Sequence, residues 1–225
     1  MRILHRHECE VNVPEQGCCG LPMMANSNIR GAEQYFRRNV ASLFAAAQPG
    51  GIILTTCPSC TLMLRRQGRV FFDSPEAAWV ADHTVDAVSY LLRLHGEGRL
   101  DMNFRAQIIR YFYKKPCHLQ IQCLRQETLE LLQLLPGLQF AGTSDACCGL
   151  GGSYGMKRMH FDRSQAIAQI LWGEIRSTVA EAGVTDCGGC GLRITEGTGL
   201  PVFHPVELLD RAYEGGDQDD PCVAG

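Results

Sequence analysis

CCGLPMMANSN at residues 18–28 and CCGLGGSYGMK at residues 147–157 are two versions of one motif. Each is followed by a Cys-x-x-Cys, CPSC at 57–60 and CGGC at 187–190. The offset between the two versions is 129 residues at the Cys-Cys-Gly and 130 residues at the Cys-x-x-Cys. Such an internal repeat indicates two related structural units in tandem. Clustered thiolates select iron–sulfur clusters, zinc or Cu(I), so the repeat also predicts bound metal, with iron–sulfur as the first candidate.

An amphipathic helix is predicted behind each Cys-Cys-Gly loop, at residues 29–47 and 161–183, because apolar side chains recur there at helical spacing. The apolar residues are Ala32, Tyr35, Phe36, Val40, Leu43 and Phe44 in the first helix, and Ile167, Ile170, Leu171 and Ile175 in the second.

Short strands complete the pattern of each copy. A run with β-branched residues, at 51–57 and at 183–187, predicts a buried strand. The Cys-x-x-Cys is predicted to lie where that strand ends and the next helix begins. A Phe-containing strand is predicted to close each copy, at 70–72 and at 201–203.

The segments between the arrays continue the alternation of helices and strands. We predict a helix at 85–98, a strand at 106–113 that delivers Cys117, a helix at 125–137 and a strand at 138–142. Alternating strands and helices indicate an α/β fold. The sequence therefore predicts two tandem, pseudo-repeated cysteine-rich domains with mostly parallel sheets.

The two domains are predicted to differ in completeness. We assign residues 1–100 to the first domain, called copy one below, and 101–214 to the second, called copy two. Cys117 lies thirty residues before Cys147, and its counterpart in copy one would fall at position −12 (117 − 129), before Met1. We therefore expect the chain to begin inside its first repeat, with copy one incomplete. The polar residues 215–225 are expected to form a disordered tail in which Cys222 is incidental.

Composition excludes several classes of protein. The 225 residues are 45% hydrophobic and 20% charged, as in ordinary globular proteins, and the net charge of −3 argues against nucleic-acid binding. No apolar run approaches the roughly 20 residues of a transmembrane segment. The first residues, MRILHRHECEV, do not resemble a secretory signal, so the twelve cysteines are expected to be reduced and the protein cytoplasmic.

The cysteine doublets favour a polynuclear cluster over a single ion, because neighbouring thiolates can reach different irons. Copy two supplies five thiolates and copy one supplies four. The candidate ligands are Cys117, Cys147, Cys148, Cys187 and Cys190 in copy two, and Cys18, Cys19, Cys57 and Cys60 in copy one. Structural zinc and a thioredoxin-type redox pair remain alternatives. Cys9 and Cys123 are predicted to be free thiols.

Two histidines lie near prolines, and both are predicted to have structural roles. They are His118, in KPCHL, and His204, in VFHPVE. For His118, a place beside the cluster is the second interpretation.

The spacing from Cys117 to Cys190 resembles the cysteine-rich CCG domain, which occurs in the B subunit of heterodisulfide reductase. It also resembles the iron–sulfur subunits of glycolate oxidase, of lactate utilisation and of anaerobic glycerol-3-phosphate dehydrogenase. CCGLGGSYGMKRMHFDRSQAI and YFYKKPCHL are most similar to the last of these, the iron–sulfur C subunits. The resemblance implies a non-cubane 4Fe-4S cluster held by the five cysteines of copy two, while occupancy of copy one is in doubt. It assigns no catalytic residue to this chain.

The resemblance also implies partners. A protein of this kind would pass electrons from flavoprotein dehydrogenase subunits toward quinone or another membrane-anchored acceptor, peripheral to the inner face of the cell membrane. The ferredoxin-like segment of the C subunits is missing here, since the chain has no Cys-x2-Cys-x2-Cys run. Two alternatives stay open: a catalytic heterodisulfide or disulfide reductase, and a zinc-stapled interaction module.

Overall fold

A computed structural model describes residues 1–47, 50–124 and 126–214. The predicted tail at 215–225, with Cys222, lies outside these residues. Copy one contains helices α1 (Arg2–Arg6), α2 (Leu21–Met24), α3 (Ile29–Ala46), α4 (Pro58–Leu62), α5 (Gly68–Phe72), α6 (Pro75–His83) and α7 (Ala87–Gly96), and strands β1 (Ile53–Thr55) and β2 (Thr84–Asp86). A π-helical turn, Met63–Gln67, connects α4 to α5.

Copy two has the larger sheet. Its strands are β3 (Ile109–Lys114), β4 (Leu138–Ser144), β5 (Ala182–Val184) and β6 (Val202–Phe203). Its helices are α8 (Cys117–Gln120), α9 (Glu127–Gln133), α10 (Phe161–Arg176), α11 (Gly188–Thr198) and α12 (Pro205–Glu214), with 3-10 turns at Tyr154–Met156 and Arg158–His160.

All the strand pairs are parallel, which confirms the predicted fold class. Copy one has a two-stranded sheet, β1-β2, and copy two has a four-stranded sheet in the order β4-β3-β5-β6. β1 pairs with β2 from Ile53 with Thr84 to Thr55 with Asp86. Because the carboxyl ends of parallel strands meet at one edge, the loops and helix starts that carry the cysteines gather there.

The hydrophobic core lies between the sheets and their helices, and its largest part joins the two copies. Leu91 and Leu94 of α7 pack in one cluster with Leu131 of α9 and Leu208 of α12, all at most 2% exposed. Ile3 of α1 belongs to the same cluster. Smaller clusters surround α3 in copy one and α10 and α11 in copy two.

The predicted strand at 70–72 is wrong. Those residues form the end of α5, and the strand that closes copy one is β2, at 84–86. The segment between β1 and β2 is longer than its counterpart between β5 and β6 and folds into helices α4 to α6. Val70 and Phe71 are 78% and 57% exposed, so these apolar residues lie on the surface of a helix. The closing strand of copy two, β6, is confirmed.

The long helices are confirmed, although the second ends at Arg176 and the predicted face is partly wrong. Leu171 and Ile175 of α10 are buried, but Ile167 and Ile170 are 38% and 62% exposed. The buried face instead includes Ala168. In α3 the predicted face holds, except that Phe44 is 43% exposed and Tyr35 is half-buried.

Candidate metal centres

The five cysteines predicted as ligands in copy two converge from three parts of the sheet edge. Cys117 begins α8 just after β3, Cys147 and Cys148 lie in the loop after β4, and Cys187 caps the start of α11. The thiol of Cys190, one turn into α11, hydrogen-bonds to those of Cys148 and Cys187. The thiol of Cys117 hydrogen-bonds to that of Cys147. The fold thus brings together residues 73 positions apart in the chain.

Hydrogen bonds between the thiols decide which of them ionise. Bonds from Cys190 lower the pKa of Cys148 to about 7 and that of Cys187 to about 6. A bond from Cys117 lowers the pKa of Cys147 to about 5. Donating these bonds raises the pKa values of Cys190 and Cys117. Three thiolates are therefore available near neutral pH.

Copy one repeats the inner part of this arrangement. The thiol of Cys60 hydrogen-bonds to those of Cys19 and Cys57, which raises its own pKa. These bonds lower the pKa of Cys57 to about 5 and that of Cys19 to about 7. Cys18 is exposed, as its counterpart Cys147 is. The thiol of Cys18 hydrogen-bonds to that of Cys19, so all four predicted residues of copy one lie at a single site.

Backbone N–H groups provide further hydrogen bonds to the thiolates. Those of Ser59 and Cys60 bond to Cys57, and those of Gly189 and Cys190 bond to Cys187. Both sets lie in a first helical turn, where N–H groups have no carbonyl partner four residues back, although the N–H of Cys60 also bonds to the carbonyl of Cys57. The Cys-x-x-Cys therefore lies at the start of a helix, as the sequence predicts. The N–H groups of that first turn also lower the pKa values of Cys57 and Cys187.

The glycine after each cysteine doublet is required by the backbone. Gly20 and Gly149 have φ angles of +89° and +83°, in the left-handed region. A Cβ on Gly20 would lie 2.8 Å from the carbonyl oxygen of Ala32, and one on Gly149 would lie 2.2 Å from that of Ser164. The loops therefore pack directly against the helix that follows.

Different polar side chains hold the two loops. In copy one, buried Asn39 of α3 accepts a hydrogen bond from the N–H of Gly17 (2.9 Å) and donates one to the carbonyl of Cys18 (3.0 Å). In copy two, the guanidinium of Arg193, 3% exposed, donates to the carbonyl of Cys148 (3.3 Å) and the hydroxyl of Ser164 (2.7 Å). Neither Asn39 nor Arg193 was identified from the sequence, because nothing in the motif predicts which side chain will reach the loop.

The two sites face each other across the boundary between the copies. Cys57 lies close enough to Cys187 for its charge to oppose part of the lowering of the Cys187 pKa by the Cys190 hydrogen bond. His118 of copy two lies 2.8 Å from the hydroxyl of Ser59, and His204 lies 2.9 Å from the carbonyl oxygen of Thr56. His118 is thus part of the contact between copies. Burial lowers its pKa, and the charge of the neighbouring Cys57 offsets that lowering only in part.

A buried acidic pair lies behind the two sites. Asp86 and Asp186, at the ends of β2 and β5, are 4% and 2% exposed. Asp186 accepts hydrogen bonds from the hydroxyls of Tyr113 (2.8 Å) and Thr128 (2.9 Å). Burial, and then the charge of Asp186, raises the pKa of Asp86 to about 6. Neither residue is predicted from the sequence, although Asp186 stands directly before Cys187.

Lys114, fully buried at the end of β3, provides a positive charge beside the outer pair of copy two. Its ammonium group donates to the carbonyl of Lys115. The charge of Lys114 adds to the lowering of the Cys147 pKa by the Cys117 hydrogen bond, and it opposes part of the rise in the pKa of Cys117. A buried cation at this position favours an anionic thiolate site.

The donor chemistry of the two sites fits an iron–sulfur cluster. Soft thiolates with lowered pKa values, backbone N–H groups and a buried cation are the environment such clusters use. Within residues 1–47, 50–124 and 126–214, no three His, Cys, Asp or Glu side chains are arranged to hold a single metal ion.

The family of the chain follows from a comparison with known proteins. Residues 1–65 and 111–195 match the cysteine-rich domain named CCG. The chain belongs to this CCG family. The two matched segments contain all nine cysteines of the two arrays, so the family resemblance expected from the motifs is confirmed.

Relatives of this CCG chain include subunits of two different enzymes and a lactate utilization protein. It is 32% identical to the C subunit of anaerobic glycerol-3-phosphate dehydrogenase from Escherichia coli, over 88% of this chain and 50% of the relative. It is 28% identical to the B subunit of fumarate reductase (CoM/CoB) from Methanothermobacter marburgensis, over 95% and 42%. Lactate utilization protein A of Bacillus subtilis is 25% identical over 93% and 90%. The chain therefore spans half the length or less of the first two relatives.

Two further observations concern residues outside the arrays of the CCG chain. Among the cysteines that the structure describes, Cys9 and Cys123 form no disulfide, and the thiol of Cys9 lies 3.3 Å from the hydroxyl of Tyr90. None of the helices in the described ranges is both long enough and apolar enough to cross a bilayer.

Proposed function

We propose that this CCG chain is an iron–sulfur electron-transfer subunit. Copy two holds a 4Fe-4S cluster, of the non-cubane type, through Cys117, Cys147, Cys148, Cys187 and Cys190. Copy one offers a second site at Cys18, Cys19, Cys57 and Cys60. The observation that carries the proposal is the convergence of these thiols in both copies.

The residues of copy two have separate tasks in this proposal. Cys148, Cys187 and Cys190 form the inner group, in which Cys148 and Cys190 are buried and Cys187 is half-buried, while Cys117 and Cys147 form an exposed outer pair. A bound cluster would supply one-electron transfer at this site. Lys114 offsets the negative charge of the thiolates, and Arg193 holds the loop that carries Cys148.

Anaerobic purification with iron and sulfide analysis tests the ligand set. We expect about four irons for each occupied site, and a Mössbauer spectrum of iron in sulfur coordination. Cys148→Ser and Cys187→Ser are each expected to remove the signal of copy two. Cys123→Ser is the matched control, because Cys123 is an exposed cysteine outside both arrays. Zinc in place of iron would support the zinc-stapled module instead.

The partners belong to the same proposal. Flavoprotein dehydrogenase subunits deliver electrons, and quinone or another membrane-anchored acceptor receives them, at the cytoplasmic face of the membrane. Support comes from the 32% identity to a part of anaerobic glycerol-3-phosphate dehydrogenase. The test is the anaerobic reoxidation of the reduced protein, followed by visible absorption, with menadione as the quinone.

A second candidate, a disulfide-reducing subunit, is favoured by one feature of the site. The thiols of Cys18, Cys117 and Cys147 are exposed, so a small substrate can approach either array. One relative is part of fumarate reductase (CoM/CoB). Glutathione disulfide distinguishes the candidates: each disulfide would take up two electrons and two protons to give two thiols. Faster reoxidation by the disulfide than by menadione would replace the first candidate with the second.

A further inference from the structure

The backbone around Cys57 of copy one is held by side chains of copy two. On one side, the ring of His204 lies 2.9 Å from the carbonyl oxygen of Thr56. On the other side, the amide of Gln122 donates to the carbonyl of Pro58 (3.0 Å). Both contacts fix main-chain positions next to a candidate metal ligand, and neither is made to its thiol.

A third contact across the same boundary does lead to the thiol. The ring Nδ1 of His118 lies 2.8 Å from the hydroxyl oxygen of Ser59. The hydroxyl and the N–H of Ser59 both hydrogen-bond to the thiolate of Cys57. The serine hydroxyl therefore stands between a histidine of copy two and a candidate ligand of copy one.

The directions of these two bonds follow from the protons that are available. A thiolate carries no proton, so the hydroxyl of Ser59 donates its only proton to Cys57. Its oxygen is then an acceptor, and His118 donates to it from a protonated Nδ1. The result is a chain of two hydrogen bonds that run in the same direction, and bonds in such a chain strengthen each other.

The ring of His118 is held in place through its own backbone. Gln122, which donates to the carbonyl of Pro58, also donates to the carbonyl of His118 (2.6 Å). One amide thus ties the helical turn that carries His118 to the residue before Ser59. His118 directly follows Cys117, a candidate ligand of the copy-two centre. The contact with copy one is therefore anchored beside the other centre.

The repeat shows that the hydroxyl belongs to copy one alone. Ser59 of CPSC corresponds to Gly189 of CGGC, at the offset of 130 residues. Both residues offer an N–H to the cysteine two positions before them, but glycine has no side chain to donate a second bond. The centre of copy one thus has a ligand hydrogen bond with no equivalent at this position in copy two.

We propose that His118 is a positioning residue through which copy two sets the reduction potential of the copy-one centre. It aims the hydroxyl of Ser59 at the sulfur of Cys57 and polarises that hydroxyl. Reduction adds negative charge to a cluster and its sulfurs, so a donated hydrogen bond stabilises the reduced form and raises the potential. The inference rests on the proposed iron–sulfur function and adds to it a residue outside the ligand set.

The reduction potential of the copy-one centre tests the proposal. It is measured by an anaerobic redox titration of the full-length Cys190→Ser protein, in which only copy one is expected to hold iron. His118→Phe, added to this protein, keeps a ring but loses the donor. At the midpoint potential measured with His118 in place, the ratio of reduced to oxidised centre should fall about fivefold, the usual effect of one hydrogen bond.

Two further variants separate the hydrogen bond from packing. Asparagine places an amide N–H near the position of Nδ1, so His118→Asn should restore most of the ratio. Ser59→Ala removes the bond to the thiolate and should lower the ratio at least as much as His118→Phe. Adding His118→Phe to Ser59→Ala should then change the ratio no further, because the histidine acts through the hydroxyl.

His204→Phe is the matched control, because it removes another histidine bond across the same boundary. The two ring nitrogens of His204 bond to the carbonyl of Thr56 and the N–H of Val206, so this ring does not act on the thiolate. We expect an unchanged midpoint potential in this variant. An equal shift in His118→Phe and His204→Phe would instead indicate a loosened boundary.

The reduced, metal-free protein gives a second readout, which needs no cluster. Nitrogen NMR of the full chain with isotope-labelled histidine reports which ring nitrogen carries the proton. The signal that disappears in His118→Asn belongs to His118. We expect its neutral ring to carry the proton on Nδ1, and Ser59→Ala to increase the fraction with the proton on Nε2.

Five results would overturn the proposal. They are an unchanged potential in His118→Phe, no recovery in His118→Asn, additive effects of the Ser59 and His118 variants, equal shifts in the two histidine-to-phenylalanine variants, and a metal-free His118 protonated on Nε2. Iron analysis on the same samples separates this inference from the proposed function. A copy one without iron would refute its metal centre and the inference together, whereas iron with an unchanged potential would refute the inference alone.

Discussion

The two copies share the geometry of their inner thiols but differ in the sheet that carries them. In copy one, Cys60 bonds to Cys19 and Cys57 beside a two-stranded sheet. In copy two, Cys190 makes the equivalent bonds beside four strands. The loop and the helix start therefore suffice to place three thiols. The central strand adds the burial of its neighbours and one more cysteine, Cys117.

The largest expected effect separates the two centres. Cys60→Ser should remove the iron of copy one alone, and Cys190→Ser that of copy two alone, because each thiol bonds to two others in its own copy. Iron content and Mössbauer spectra of the two variants measure this. Loss of iron from both sites in either variant would mean that the two copies form one composite centre. The description of two separate metal sites would then be wrong.

The glycines of the two loops offer a test of their packing. Gly149→Ala should destabilise the protein by about 4 kcal/mol and Gly20→Ala by about 3 kcal/mol, since each adds a left-handed alanine and a steric clash. The clash is shorter at Gly149 (2.2 Å) than at Gly20 (2.8 Å). Urea unfolding measures the loss, and Gly96→Ala, with open space around it, is the control. Equal stability of all three variants would refute the packing argument.

The buried acid of copy one makes stability depend on pH. The pKa of Asp86 is raised from 3.8 to about 6 in the folded protein, so folding favours its protonated form. Its contribution is complete below pH 4 and is lost as the pH rises through 6, by about 3 kcal/mol. Asp86→Asn keeps the cap on α7 and should flatten the unfolding free energy between pH 4 and 7.5. An unchanged slope would assign this pH dependence to other groups.

The smallest expected effect concerns the contact between copies. His204 directly follows β6. Its Nδ1 accepts a hydrogen bond from the N–H of Val206, so its Nε2 donates to the carbonyl of Thr56. His204→Ala should cost about 1 kcal/mol in urea unfolding, the usual net value of one hydrogen bond. His5→Ala, on the exposed part of α1, is the control. A loss equal to that of the control would mean that the bond does not stabilise the boundary.

Local patterns in the sequence predicted the elements around the cysteines because those elements repeat. The strands β1 and β5 and the starts of α4 and α11 lie where the spacing placed them. The prediction of a strand at 70–72 was wrong because local sequence patterns do not show which segment pairs with β1. In the structure β2 takes that role, with three residues that include Thr84 and Asp86.

The sequence by itself determined the family, the α/β class and the nine cysteines of the two arrays, since motif and spacing are properties of the chain. The tertiary structure alone decided that the arrays face each other, that Asp86 and Asp186 are buried together behind them, and that Asn39 and Arg193 hold the loops. These are contacts between residues far apart in the chain, and their energies depend on burial and distance. No local pattern encodes either quantity, so they emerge only when the two copies pack.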